Sequence, residues 1–122
     1  LLIALNDNVA DGRDISWIWD VNFEMLKMSR GKADFVCFTG SRAEEMALRF
    51  KYADLHFEST ALQKNLSEAV KVSISGGQTT VYLFTSYTAL WSVRNTLTKL
   101  GAKEQRHAAS STPISGTSKS LQ

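Results

Sequence analysis

The residues best suited to chemistry in this 122-residue chain lie between positions 7 and 20. Four of its six aspartates, Asp7, Asp11, Asp14 and Asp20, fall there, and Arg13 is the only cation among the first 20 residues, which carry a net −3. Carboxylates gathered in this way can ligate a hard cation, close turns and cap helices, or orient a catalytic histidine. The first use fails on spacing. Asp7, Asp11 and Gly12 match positions one, five and six of a calcium loop, but Val9 and Ile18 stand where an oxygen ligand and a glutamate are required. The second use predicts Asx-turns and a helix cap, with Trp17 and Trp19 anchoring the loop on the core. The third needs a histidine that in turn activates Ser or Cys.

That histidine is hard to find within the chain. His56 lies between Leu55 and Phe57 and reads as a loop or rim residue, while His107 belongs to a polar C-terminal stretch. The one cysteine, Cys37, sits in the apolar run Phe35-Val36-Cys37-Phe38 and reads as a buried, inert thiol. A single cysteine also excludes an internal disulfide or a cysteine-based zinc site. No nucleophilic triad can be assembled from these residues, so an aspartate that orients a histidine would orient one on another chain.

Other motifs are weaker. Gly40-Ser41, opening a helix, is a place where backbone N–H groups can hold an anion. Neither a Gly-x-x-x-x-Gly-Lys loop nor a Gly-x-Gly-x-x-Gly turn is present. Asn65-Leu66-Ser67 has a glycosylation pattern but falls in a predicted helix, and Leu1-Leu2-Ile3-Ala4-Leu5 is too short and lacks the basic flank of a signal peptide. Met25 and Met28 read as packing residues. Arg13 and Arg42 are the cations near the strand ends that an acidic peptide would need.

Composition narrows the classes further. Hydrophobic residues at 43% and charged residues at 21% are globular values. Residues 1–100 hold 11 Lys/Arg against 11 Asp/Glu, so the formal +2 comes from the last 22 residues. The folded part therefore has no basic excess for nucleic acid, and no apolar run approaches the ~18 residues of a transmembrane segment.

The elements that must position the acidic loop can be read from periodicity. Leu1–Asn6 is a predicted buried strand stopped at Asn6-Asp7-Asn8, residues 7–20 are a polar loop, and Phe23–Met28 is a short helix ended by Gly31. Ala33–Thr39 is a second strand, apolar on both faces, as in a sheet covered by helices on both sides. A helix follows to about Ala53, with Ser41 and Glu44 at capping-box spacing, Glu45 and Arg49 as a surface pair, and Ala43, Met46, Ala47 and Phe50 on one buried stripe. Thr60 and Gln63 repeat the capping box before a third helix that turns Leu62, Leu66 and Ala69 inward. After Gly76-Gly77 come a strand, Thr79–Thr85, and a helix from Tyr87 to Leu100 with Leu90, Val93, Leu97 and Leu100 as its stripe. This alternation predicts an α/β fold with right-handed crossovers and a mainly parallel sheet, whose ligands gather at the strands' carboxyl ends. Residues 102–122, rich in Ala, Ser and Thr, are predicted to be a disordered tail.

Three stretches carry a resemblance: Asn6-Asp7-Asn8-Val9-Ala10-Asp11-Gly12-Arg13-Asp14-Ile15-Ser16-Trp17-Ile18-Trp19-Asp20 followed by Phe23-Glu24; Thr39-Gly40-Ser41-Arg42-Ala43 with Met46-Ala47-Leu48-Arg49 and Lys51-Tyr52-Ala53; and Thr85-Ser86-Tyr87-Thr88-Ala89-Leu90. Together they resemble the C-terminal domain of the MurT family, the Mur-ligase-like subunits of lipid II isoglutaminyl synthase. The resemblance covers residues 1 to about 100 and implies a Rossmann-like, three-layer domain of the Mur ligase C-terminal type over residues 1–101, one part of a longer chain. It implies an ATP-dependent carbon–nitrogen ligase in which the D-glutamate of the lipid II stem peptide becomes D-isoglutamine at the inner face of the membrane, in the cytoplasm.

A GatD-like glutaminase partner supplies ammonia in that family, and the C-terminal domain is thought to lend an aspartate to the partner's Cys–His pair. By motif position the role falls on Asp7, with Asp11 as the competing candidate. Asn8, Gly12, Arg13 and Asp14 then shape the loop or dock the partner, and Trp17 and Trp19 fix it against the sheet. ATP with Mg is expected on a central domain that these residues do not include; this domain itself is expected to bind no cofactor or metal. The rival reading is a non-catalytic protein-interaction domain.

Overall fold

The computed structural model describes residues 1–27, 35–76 and 80–103. Four strands form a parallel sheet: β1 (Leu2–Ala4), β2 (Phe35–Thr39), β3 (Ser59–Leu62) and β4 (Leu83–Thr85), in the order β3-β2-β1-β4. Helices α1 (Ala43–Tyr52), α2 (Leu66–Ile74) and α3 (Tyr87–Lys99) connect or follow them. Three short 3₁₀ turns, Val9–Asp11, Ser16–Trp19 and Phe23–Lys27, punctuate the path from β1 to β2.

Side-chain alternation divides the core in two. Leu2 lies opposite Cys37 in the β1–β2 register and Ile3 opposite Phe38. Ile3, Leu5, Val36 and Phe38 face α1, where Ala43, Met46 and Phe50 pack with Ile15 and Ile18 from the loop. Leu2 and Cys37 face the other way, against Ala69 and Val70 of α2 and Val93 of α3. Burial on both faces explains why β1 and β2 read as continuous apolar runs. Phe50 anchors the first layer, with Phe38 edge-on at 5.1 Å and Phe23 tilted at 5.2 Å. Burying such a ring contributes about 2–3 kcal/mol. Cys37 is fully buried, and burial pushes its thiol up from the ordinary value.

Several expectations need correction. Thr60 and Gln63 do not cap a helix: residues 59–62 are the edge strand β3, paired with β2, and Leu62 is exposed. Helix α2 begins four residues after β3, and its N-cap is Asn65, whose side chain accepts from the Glu68 N–H at 3.0 Å, an arrangement worth about 1 kcal/mol. The Ser41–Glu44 box is also absent. Arg42 is the N-cap residue of α1, and the Ser41 hydroxyl turns to Asp7 instead. Among the described residues the sheet thus has four strands rather than three. In α3 the inward positions are Ala89, Val93 and Thr96, while Leu90 and Leu100 are exposed. Met28, Gly31, residues 33–34, Gly77, Thr79 and the tail from residue 104 lie outside the described residues.

Candidate functional site

The carboxyl ends of β1, β2 and β4 meet where the acidic loop begins, and Asn6 joins them. Its backbone N–H donates to Ser86 Oγ at 2.9 Å, its Nδ2 donates to Thr88 Oγ1 at 3.1 Å, and its Oδ1 accepts from the Ser41 N–H at 3.0 Å. This close approach depends on Gly40, which has φ of +97°. A Cβ there would stand 2.3 Å from the Leu5 carbonyl oxygen and 2.8 Å from Asn6 Oδ1. Only glycine fits.

Asp7 follows at the rim. Its Oδ2 accepts from Arg42 Nη1 at 2.9 Å and its Oδ1 from Ser41 Oγ at 3.0 Å. The side chain remains 26% exposed. The hydrogen bond from Arg42, then that from Ser41, holds the carboxyl below the usual carboxylate range. Arg42 also reaches Glu45 at 3.1 Å through Nη2. Bonding first to Glu45 and then to Asp7 raises its own pKa.

Asp11 is engaged differently. Its Oδ1 accepts from the Thr88 N–H at 2.6 Å, its Oδ2 accepts from the Thr88 hydroxyl, and the Asn8 N–H adds a bond at 3.2 Å. Burial pulls this carboxyl upward, but the bonds from the Thr88 side chain, Thr88 backbone and Asn8 backbone together leave it lowered. Thr88 lies in the first turn of α3, so Asp11 caps that helix from a different loop. Asn8 Nδ2 donates to Thr88 Oγ1 at 3.0 Å.

The remaining loop residues divide between turn and surface. Asp14 accepts from the Ser16 N–H at 2.9 Å in an Asx-turn, and that bond lowers its pKa. Gly12 has φ of +85° and open space around it. Arg13 is exposed and makes no hydrogen bond or ion pair among the described residues. The loop is seated on the core by Ile15 and Ile18, which are buried, whereas Trp17 and Trp19 stand 44% and 47% exposed. Trp19 meets Tyr52 edge-on at 5.6 Å.

Arg49 was legible in the sequence only as a surface partner of Glu45; it is in fact buried. Its Nε donates to the Ile18 carbonyl at 2.9 Å, its Nη2 donates to the Val21 carbonyl at 2.7 Å, and it pairs with Glu24 at 2.9 Å. Glu45 pairs with Arg42 instead. The turns around Ile18 and Val21 thus close on a guanidinium from α1.

The start of α1 does not suit a bound phosphate. Ser41 N–H is committed to Asn6, Arg42 N–H to the Leu5 carbonyl, and the chain's own Asp7 occupies the rim. A phosphate would have to displace that carboxylate, so no chemical step through ATP is assigned to these residues.

A three-layer α/β domain with an all-parallel sheet and a polar site at its strands' carboxyl ends defines the Rossmann-like class to which the C-terminal domains of Mur ligases belong. Within that class the family described as MurT ligase C-terminal matches residues 1–90, and the chain belongs to that family. The MurT subunit of lipid II isoglutaminyl synthase (glutamine-hydrolyzing) from Staphylococcus aureus strain COL is 52% identical over 54 residues, 44% of this chain and 12% of the relative. The subunit of that name from Streptococcus pneumoniae strain ATCC BAA-255/R6 is 31% identical over 97 residues, 80% of this chain and 21% of the relative. The chain therefore spans about an eighth to a fifth of these relatives' lengths.

Proposed function

We propose that this chain is the C-terminal domain of the synthetase subunit of a glutamine-dependent amidotransferase, one that converts the D-glutamate of the lipid II stem peptide to D-isoglutamine in the cytoplasm, at the inner membrane face. The names of the relatives support the general role. Among the described residues no helix is long and apolar enough to cross a membrane. In this reading the domain docks a GatD-like glutaminase and presents Asp7 to the partner's Cys–His pair. ATP with Mg would be bound by another part of the subunit, and lipid II would be engaged through the full-length protein.

The observation that carries the reading is the state of the Asp7 carboxylate. It is held below its ordinary pKa chiefly by side chains of the β2–α1 turn and stays partly exposed. A carboxylate fixed and ionised at a rim can accept an imidazole N–H, hold that ring in one tautomer, and stabilise its protonated form. Asp11, by contrast, accepts three bonds, two from Thr88 and one from Asn8, and is spent on capping α3. His56 cannot serve Asp7. It follows the C-terminal end of α1 while Asp7 faces the N-terminal end, and ten helical residues separate the two by about 15 Å.

In the assembled complex, Asp7→Asn is expected to lower glutamine hydrolysis by about 10²- to 10⁴-fold with assembly intact. Wild-type hydrolysis in that variant would sink the assignment. The half-exposed Trp17 and Trp19 favour a second reading, a purely docking role, in which their replacement by Ala abolishes assembly while Asp7→Asn changes nothing.

A further inference from the structure

We propose that Arg42 is the positioning residue of the candidate site: it aims the Asp7 carboxylate at the partner's histidine and limits how strongly that carboxylate holds the ring's proton. The inference rests on the reading of Asp7 given above and goes beyond it in assigning a role to a residue that never reaches the reacting atoms.

The geometry is that of a shared fork. Arg42 does not close on one carboxylate with both amino groups. Nη1 takes Asp7 Oδ2 at 2.9 Å and Nη2 takes Glu45 Oε2 at 3.1 Å. Glu45 lies three residues along α1, so the helix itself sets the plane of the guanidinium. Ser41 Oγ holds the other oxygen of Asp7. A carboxylate offers about four acceptor sites. Two are filled from the β2–α1 turn, and the side chain keeps 26% of its surface open to an incoming donor. Asp11, which caps a helix, accepts three bonds.

The charge of Arg42 has a second effect. A bare carboxylate strongly favours the protonated imidazole; one already sharing a guanidinium favours it less. Glu45, paired with the same guanidinium, offsets part of this effect, and the other charges nearby are engaged elsewhere. Glu45 faces Arg42 from α1, Lys64 pairs with Glu44 at 2.7 Å and also reaches the Ser41 carbonyl, and Asp11 is turned toward Thr88.

The test uses the full-length synthetase subunit assembled with its glutaminase, reading kcat, KM and the pH profile of glutamine hydrolysis. Arg42→Gln is expected to lower kcat about tenfold to a hundredfold, the range for a misaimed catalytic group, with KM little changed. The limb of the profile that reports the histidine should move up by roughly half a pH unit. Arg42→Lys keeps the charge but not the fork, so the limb should return while kcat recovers only in part. Glu45→Gln frees one side of the guanidinium and should give a smaller kcat loss in a subunit whose fold is otherwise untouched. In an Asp7→Asn background, Arg42→Gln should lower hydrolysis no further. A wild-type rate and profile for Arg42→Gln would overturn the proposal, as would an equal loss with and without Asp7, which would place its effect in the fold. Wild-type hydrolysis in Asp7→Asn alone would remove the underlying reading, and this inference with it.

Discussion

Asp7 and Asp11 lie four positions apart, and the difference between them is which neighbours reach them. Asp11 meets the N-terminal turn of α3 and becomes a cap; Asp7 meets a guanidinium and a hydroxyl and stays at the surface. Spacing alone cannot separate the two, because both fit a turn or a rim, and the deciding partners, Thr88 and Arg42, are 77 and 35 residues away. The cap has a pH signature. The Asp11 pKa is lowered in the folded state, so its stabilisation is complete above the unfolded carboxyl value of about 4 and is lost as pH falls through the lower folded value. Asp11→Asn should therefore melt below the wild type at pH 7, and the gap should close as pH falls below about 4. A gap that is constant with pH would show that the charge of Asp11 is irrelevant to the cap.

At the level of elements, the informative failure is β3. Its four residues, Ser59–Leu62, are mostly exposed and carry no period-two apolar pattern, while Thr60, Gln63, Leu62, Leu66 and Ala69 fit a capped helix. Pairing with β2 overrides that local preference, since an edge strand gains its hydrogen bonds from a neighbour rather than from its own pattern. The longer or more periodic elements, α1 and the two buried strands, were legible because burial imposes the spacing that sequence reading detects. Arg49 shows the same limit from the other side. A charged residue on an amphipathic helix reads as solvent-facing, yet here it supplies a donor to the Ile18 carbonyl and a second one to the Val21 carbonyl. Arg49→Leu leaves the Ile18 carbonyl without a donor and Glu24 unpaired, while Val21 keeps the Phe23 N–H, and should cost about 2–4 kcal/mol in chemical denaturation. Glu24→Gln, at a more exposed partner, should cost clearly less. Equal costs would mean that the ion pair, not the carbonyl bonds, holds the turns.

For the molecule as a whole, the order β3-β2-β1-β4 makes the first strand of the chain, with β2, an interior strand of the sheet, paired on both sides and buried on both faces. The two halves of the core, under α1 and under α2 with α3, share only this sheet. The amides of β1 that bond within the sheet should therefore exchange with solvent only on global unfolding, and more slowly than those of the edge strand β3. Faster exchange in β1 would show that the halves open independently. The same topology accounts for the site. Because β1 is interior, its carboxyl end borders the turns after β2 and β4 at once, and Asn6, the second residue beyond it, bonds to both.

The Thr88 hydroxyl gives that junction a direction. It accepts from the amides of Asn6 and Asn8 and donates its single proton to Asp11. With the proton committed, neither amide can be reversed, and Asn6 must present its oxygen to Ser41. The wiring from the β2–α1 turn to the start of α3 is one-way, like a series of diodes. Aspartate in place of Asn6, identical in shape, would set an oxygen against an oxygen at Thr88; what position 6 selects is the polarity of its two ends, which no measure of size or hydropathy records.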